Sequence, residues 1–161
     1  MIKVKLEPLT EDDFQDFSEL LKDSEIEQAG IGELSNQQAR DFFEQLINDS
    51  LHKKLTDNKG TFLGIILINS RGLDESLINT KELGIAIVQK YRNQGIGTMA
   101  IKLVSDYAKT VGITELWAAT NESNIASQKI FTNNGFEYKY DVDMSMLNLP
   151  IQKYYLKPIN R

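Results

Sequence analysis

Two glycines one residue apart, set behind an arginine, are suited to holding an anion. This chain has them in Tyr91-Arg92-Asn93-Gln94-Gly95-Ile96-Gly97-Thr98. An apolar run with the make-up of a strand, Leu83-Gly84-Ile85-Ala86-Ile87-Val88, leads into the turn, and Ile96, Ala100, Leu103, Val104 and Tyr107 follow it at helical spacing. Strand, glycine turn and helix together aim unpaired backbone N–H groups and the positive end of a helix dipole at an anion. Gly95 and Gly97 have no Cβ, so a phosphate can approach the main chain and φ > 0 is allowed. The expected occupant is a diphosphate.

The other residue types narrow the chemistry. With no Cys and one His in 161 residues, disulfides, thiol nucleophiles and Cys- or His-rich metal sites are excluded. That histidine, His52, is expected at the surface on the second helix, and the single Trp117 is expected as core in a central strand. The longest apolar run, Phe62 to Ile68, is far short of the roughly 20 residues of a membrane span. Met1-Ile2-Lys3-Val4-Lys5 shows no secretory pattern, so a cytoplasmic protein is expected. The net charge of −5 argues against nonspecific nucleic-acid binding. Residues 1–50 hold 13 acids and 4 bases, residues 51–161 hold 10 acids and 14 bases. The acidic part suits a cationic ligand, or is a set of solvated helix faces; the basic part contains the proposed cradle.

These residues need a scaffold, and the patterning supplies one of order β-α-α-β-β-β-α-β-α-β-β. Ile2 to Leu6 alternates as a half-buried strand ended by Pro8. Thr10 caps a helix carrying Phe14, Phe17, Leu20 and Leu21, and a glycine loop spans Ala29 to Leu34. Ser35-Asn36-Gln37-Gln38 is a capping box for a helix burying Ala39, Phe42, Phe43, Leu46 and Ile47. Strands follow at about 51–56 and 61–69, joined by the turn Asp57-Asn58-Lys59-Gly60, and again at about 81–88. The helix behind the cradle ends at Gly112. Strand 114–120, a short helix from Asn124 to Asn133, and strands 136–142 and 154–157 complete the chain. The expectation is one α/β (α+β mixed) domain over residues 1–161, with helices on both faces of a mixed sheet.

The second half resembles the GNAT superfamily of N-acetyltransferases. Arg92-Asn93-Gln94-Gly95-Ile96-Gly97 matches the family's Q/R-x-x-G-x-G/A turn. Asn124 to Phe136 is similar to its later N-x-x-S/A-x-x-x-Y-x-x-x-G-F pattern, with Phe131 in the tyrosine's place. Leu6 to Asp13 and Glu82-Leu83-Gly84-Ile85 look like the branch of ribosomal-protein and spermidine acetyltransferases. The resemblance implies a twisted, mostly antiparallel sheet of 6–7 strands with about 4 helices, splayed at the acyl-CoA site. It implies acetyl-CoA as cosubstrate and no metal. Backbone groups of Ile87, Val88 and Gln89 would meet the pantetheine arm, and the one near Ile87 would also polarise the thioester. Arg92, Asn93, Gln94, Gly95, Ile96, Gly97 and Thr98 would hold the diphosphate, with Asn124 and Ser127 as further contacts.

Glu82, on the strand that the resemblance splays and at an acidic position common in that branch, is the candidate general base for an amine acceptor, or else a surface carboxylate or ion-pair partner at a strand end. Glu33, in the loop between the first helices, is a second candidate. Phe131 has no proton for the leaving thiolate, so Tyr138, Ser127 or water serves, or no donor is needed. The acceptor would be cationic (polyamine, aminoglycoside or protein N-terminus), and the C-terminal hairpin could pair two copies. Gly95 to Ala100 also fits the dinucleotide pattern G-x-G-x-x-A, but six residues, Gln89 to Gln94, separate it from the strand. The alternative that stands is a noncatalytic acyl-CoA-binding protein of the same fold.

Overall fold

The structure is a computed structural model and describes residues 2–23 and 34–159. Glu33 and most of the glycine loop lie outside the described residues. The elements come in the expected order: β1 (Lys5–Pro8), α1 (Phe14–Leu20), α2 (Asn36–Ile47), β2 (Lys53–Thr56), β3 (Phe62–Ser70), β4 (Thr80–Ile87), α3 (Ile96–Thr110), β5 (Glu115–Asn121), α4 (Ile125–Asn133), β6 (Glu137–Val142) and β7 (Gln152–Pro158). The strands form one mixed, mostly antiparallel sheet ordered β1-β2-β3-β4-β5-β7-β6. The chain divides into two compact units, the first of residues 1–67 and 85–100, the second of 68–84 and 101–161. Among the described residues no helix is long and apolar enough to cross a membrane, and no cluster of acids and His is placed to hold a metal.

In the first unit β1, β2 and β3 form an antiparallel meander. Its turn is built as the sequence suggests. Asp57 accepts from the N–H of Lys59 and Thr61, and Gly60 takes φ 80°. The Ser35–Gln38 box is closed in both directions at 3.1 and 2.9 Å. The helices bury Phe17, Leu20, Ala39, Phe43 and Leu46 with Phe62 and Ile65 of β3, and Phe17 meets Phe43 at 5.1 Å. Asp13, 6% exposed, takes Lys54 Nζ at 2.9 Å, so this acid is not a solvated one.

His52 is a correction. It lies past the end of α2, immediately before β2, and is 7% exposed rather than on the surface. Asn48 and Asp49 turn the chain back, with His52 N–H on Asp49 O at 3.2 Å, and that turn carries the ring inward.

In the second unit β5 is central, parallel to β4 and antiparallel to β7, which in turn pairs with β6. β4 pairs with β5 from Thr80 to Leu83 and then runs on to Ile87. Burial alternates strictly along β5, so Leu116, Ala118 and Thr120 are inside. Trp117 therefore falls on the other face, half-buried, and is not the core residue expected. The buried stripe of α3 is also turned from the expected one. Ile96, Ala100, Ile101, Val104 and Ala108 are inside, and Leu103 and Tyr107 are at its margin. Gly112 ends this helix at φ 79°.

Candidate active site

The cradle is built by a tight turn after β4. Tyr91 N–H donates to Val88 O at 2.9 Å and Arg92 N–H to Gln89 O at 3.2 Å. Asn93 then takes φ 62° and Gly95 φ 79°. Asparagine and glycine tolerate the left-handed region best, so both residue types have a backbone reason to be there. Alternating handedness turns successive N–H groups toward a common point, the concavity that binds anions. The first bond of α3 runs from Met99 N–H to Gly95 O, 3.2 Å. The N–H groups of Ile96, Gly97 and Thr98 precede it, as the first donors of a helix do. Ile96 is 2% exposed and anchors the turn, while Asn93, Gln94 and Gly95 are exposed. A Cβ at Gly95 would meet nothing within 4 Å. The turn thus fits a diphosphate: donors, dipole and open approach on one side.

Some groups beside the cradle are already engaged. Arg92 Nε donates to Ile87 O at 3.0 Å, and a terminal nitrogen of its guanidinium pairs with Asp23 at 2.8 Å. Its charge toward an anion is therefore offset by a carboxylate. Val88 N–H donates to Leu63 O at 2.9 Å, and its carbonyl accepts from Tyr91. The Gln94 side chain folds back on Lys90 O at 3.2 Å.

Asn124 and Ser127 stand in the second unit, at the start of α4. Asn124 is its N-cap, Oδ1 accepting from Ser127 N–H at 3.0 Å. Seven residues on, Phe131 is 6% exposed, with its ring 5.2 Å from Phe136 and 6.0 Å from Tyr155. It is a core residue.

Glu82 lies on β4, opposite Trp117 in the parallel register. With Ser70, Arg71, Tyr140, Val142 and Tyr154 it lines a cavity of about 330 Å³ in the second unit. Burial, then the nearby Glu82 charge, push the Tyr154 hydroxyl up from its ordinary value, so it stays protonated beside that carboxylate. The Arg71 guanidinium sits 4.2 Å over the Trp117 ring. Tyr140 stacks on Tyr154 at 5.4 Å and meets Trp117 at 5.9 Å.

Arg71, Tyr140 and Tyr154 were not singled out in the sequence. The obstacle was a bulge: the β6–β7 register shifts between Tyr138 and Tyr140. Strict alternation puts these two tyrosines on one face. The bulge sends Tyr138 to Tyr155 and Tyr140 to Tyr154 instead.

A family model described as acetyltransferase (GNAT) domain matches residues 3–137. The chain belongs to the GNAT acetyltransferase family. No curated protein sequence matches it. Among solved structures, a spermidine N-acetyltransferase from Vibrio cholerae, in complex with CoA and spermine, is 14% identical with TM-score 0.82 over 97% of this chain and 95% of that one. The GNAT-family acetyltransferase from Bacillus anthracis is 18% identical, TM-score 0.81, over 99% of both chains. The protein yncA from Salmonella typhimurium, with its cofactor acetyl-CoA, is 13% identical, TM-score 0.81, over 98% and 95%. These share the GNAT fold with this chain.

Within a GNAT fold, Phe131 occupies the position where the resemblance expects a tyrosine. Tyr138, one of the substitutes considered, is half exposed and donates to Asp141 at 2.8 Å. That bond, then desolvation, raises its pKa above the ordinary 10.0. Its proton is committed to Asp141.

Proposed function

We propose that this protein is an acetyl-CoA-dependent N-acetyltransferase, acting as one cytoplasmic domain over residues 1–161. The acceptor is a primary amine of a small cationic, polyamine-like molecule or of a protein N-terminus, and attack is direct in a ternary complex. The observation that carries the reading is the turn at 92–98, with its left-handed Asn93 and Gly95 ahead of the first donors of α3, in a chain of the GNAT family. Backbone N–H groups from Gln94 to Thr98 would hold the coenzyme's diphosphate, with Asn124 and Ser127 as further contacts. Ile87 and its neighbours Val88 and Gln89 would border the pantetheine arm. The coenzyme supplies an acetyl thioester.

The neutral amine nitrogen forms a bond to the acetyl carbon, and the C–S bond breaks as thiolate leaves. Glu82 takes the proton the amine gives up, directly or through water. Tyr154 lines the same cavity and keeps its proton beside Glu82. Holding amine and thioester together accounts for much of the rate. The acidic balance of residues 1–50 is what favours a cationic acceptor.

Phe131 favours a second reading, a protein that binds acyl-CoA without turning it over, since the usual proton donor is replaced by a core ring. One experiment separates the two. Acetyl-CoA binding is measured by calorimetry, and release of CoA thiol is followed across polyamines, aminoglycosides, amino acids and N-terminal peptides. Acetyl-CoA-dependent thiol release with an acetylated product supports the enzyme. Tight binding with no turnover on any amine supports the second reading, and no binding overturns both.

A further inference from the structure

We infer that the acceptor carries a carboxylate beside its amine, as an α-amino acid does, and that Arg71 recognises it. The inference rests on the acetyl-transfer reading for its chemistry and changes the acceptor that reading takes. Arg71 and Glu82 line the same cavity of about 330 Å³, a size suited to a small molecule. Among the described residues neither is in an ion pair, so each charge faces the cavity without a fixed counter-ion. Glu82 is matched to an ammonium or to the proton an amine loses.

Arg71 is matched to an anion. Its guanidinium carbon sits 4.2 Å from the centre of the Trp117 ring, a cation–π contact that holds the fork of donors in place before any ligand arrives. Such a fork pairs with a carboxylate through two parallel bonds. Trp117 stands opposite Glu82 in the β4–β5 register, so the guanidinium is over the strand next to Glu82's own. The stacked rings of Tyr140 and Tyr154 supply an apolar wall with a hydroxyl at its edge.

A polycation is the poorer occupant. It would bring like charge against a fixed guanidinium, which costs affinity. Part of the acidity of the first fifty residues is already engaged in ion pairs. Asp13 is paired with Lys54, Asp23 with Arg92, and Glu11 and Glu44 with Arg40. The local cavity is the better guide to the acceptor than the bulk charge.

The test compares each of the protein L-α-amino acids with its own primary amide, with spermidine alongside, as acceptors at saturating acetyl-CoA. The amide keeps the amine and side chain and removes only the negative charge. At least one acid should exceed its amide by about 10- to 100-fold in kcat/KM, the usual range for a hydrogen-bonded charge pair. In Arg71→Gln that ratio should fall to near one, chiefly through KM, and Arg71→Lys should restore it in part. Folding of both variants is checked by near-ultraviolet circular dichroism.

Amides or spermidine equalling the acids would overturn the inference, as would a ratio that persists in folded Arg71→Gln. If no amine releases CoA thiol, the acetyl-transfer reading fails on its own, and binding still decides this one. Trp117 is the only tryptophan and lies under Arg71, so its fluorescence reports the cavity. Acid-specific quenching that Arg71→Gln abolishes sustains the inference; no response to any acid sinks it.

Discussion

Glu82 lines a cavity of the second unit and the backbone donors of residues 94–98 belong to the first, so each is tested by its own substitution. Glu82→Gln keeps the side chain's size and loses its basicity. Turnover should drop by about 100-fold or more, as general-base losses do, while the acetyl-CoA Kd stays within a factor of about two. An unaltered rate at every pH would remove Glu82 from the mechanism. Gly97→Asp acts on the other half. It sets a side chain and a negative charge among the donors of the α3 N-terminus, and calorimetry should find no acetyl-CoA binding by the folded variant. Gly97 is proposed from glycine spacing after a strand, and Glu82 from its place on that strand and the family resemblance. Arg92 was legible only in part. Its partner Asp23 is 69 residues away, and no local pattern shows that its charge is already offset.

At the scale of elements the sequence was a good guide where periodicity and caps speak, and a poor one where strands choose neighbours. Among the described residues the seven strands and four α-helices were anticipated in order, and Ser35, Asp57, Gly60 and Gly112 do what their types suggest. That β7 inserts between β5 and β6 is a tertiary choice with no local signal. The bulge between Tyr138 and Tyr140 is another, and it hid the aromatic wall of the cavity. Gly64 in β3 shows a constraint of the same kind. A Cβ there would lie 2.2 Å from Ala86 O and 3.0 Å from Ile87 Cα, both backbone atoms of β4 that cannot swing away. Gly64→Ala should therefore cost about 3 kcal/mol, at the upper end for overpacking, read as a lower urea midpoint. Unchanged stability would mean that β3 and β4 do not approach so closely.

For the molecule as a whole, one buried group ties folding stability to pH. His52 is the only histidine and is 7% exposed, where its sequence context suggests a surface residue on the second helix. Burial lowers its pKa from the ordinary 6.5, and Asp49, 3.6 Å from its Nε2, opposes that shift only in part. The folded protein thus binds a proton at His52 less readily than the unfolded chain does. Between the lowered folded value and 6.5 the unfolded state holds more protons, so stability rises with pH through that window and is complete above it. The slope is at most about 1.4 kcal/mol per pH unit, the value for one proton. Urea midpoints measured from pH 7.5 down to 5.5 should fall in the wild type. In His52→Asn, less stable at neutral pH, they should stay nearly level until the carboxylates begin to titrate. Equal slopes in the two proteins would show that His52 is protonated as easily in the fold as out of it, and that the ring is not shielded from water.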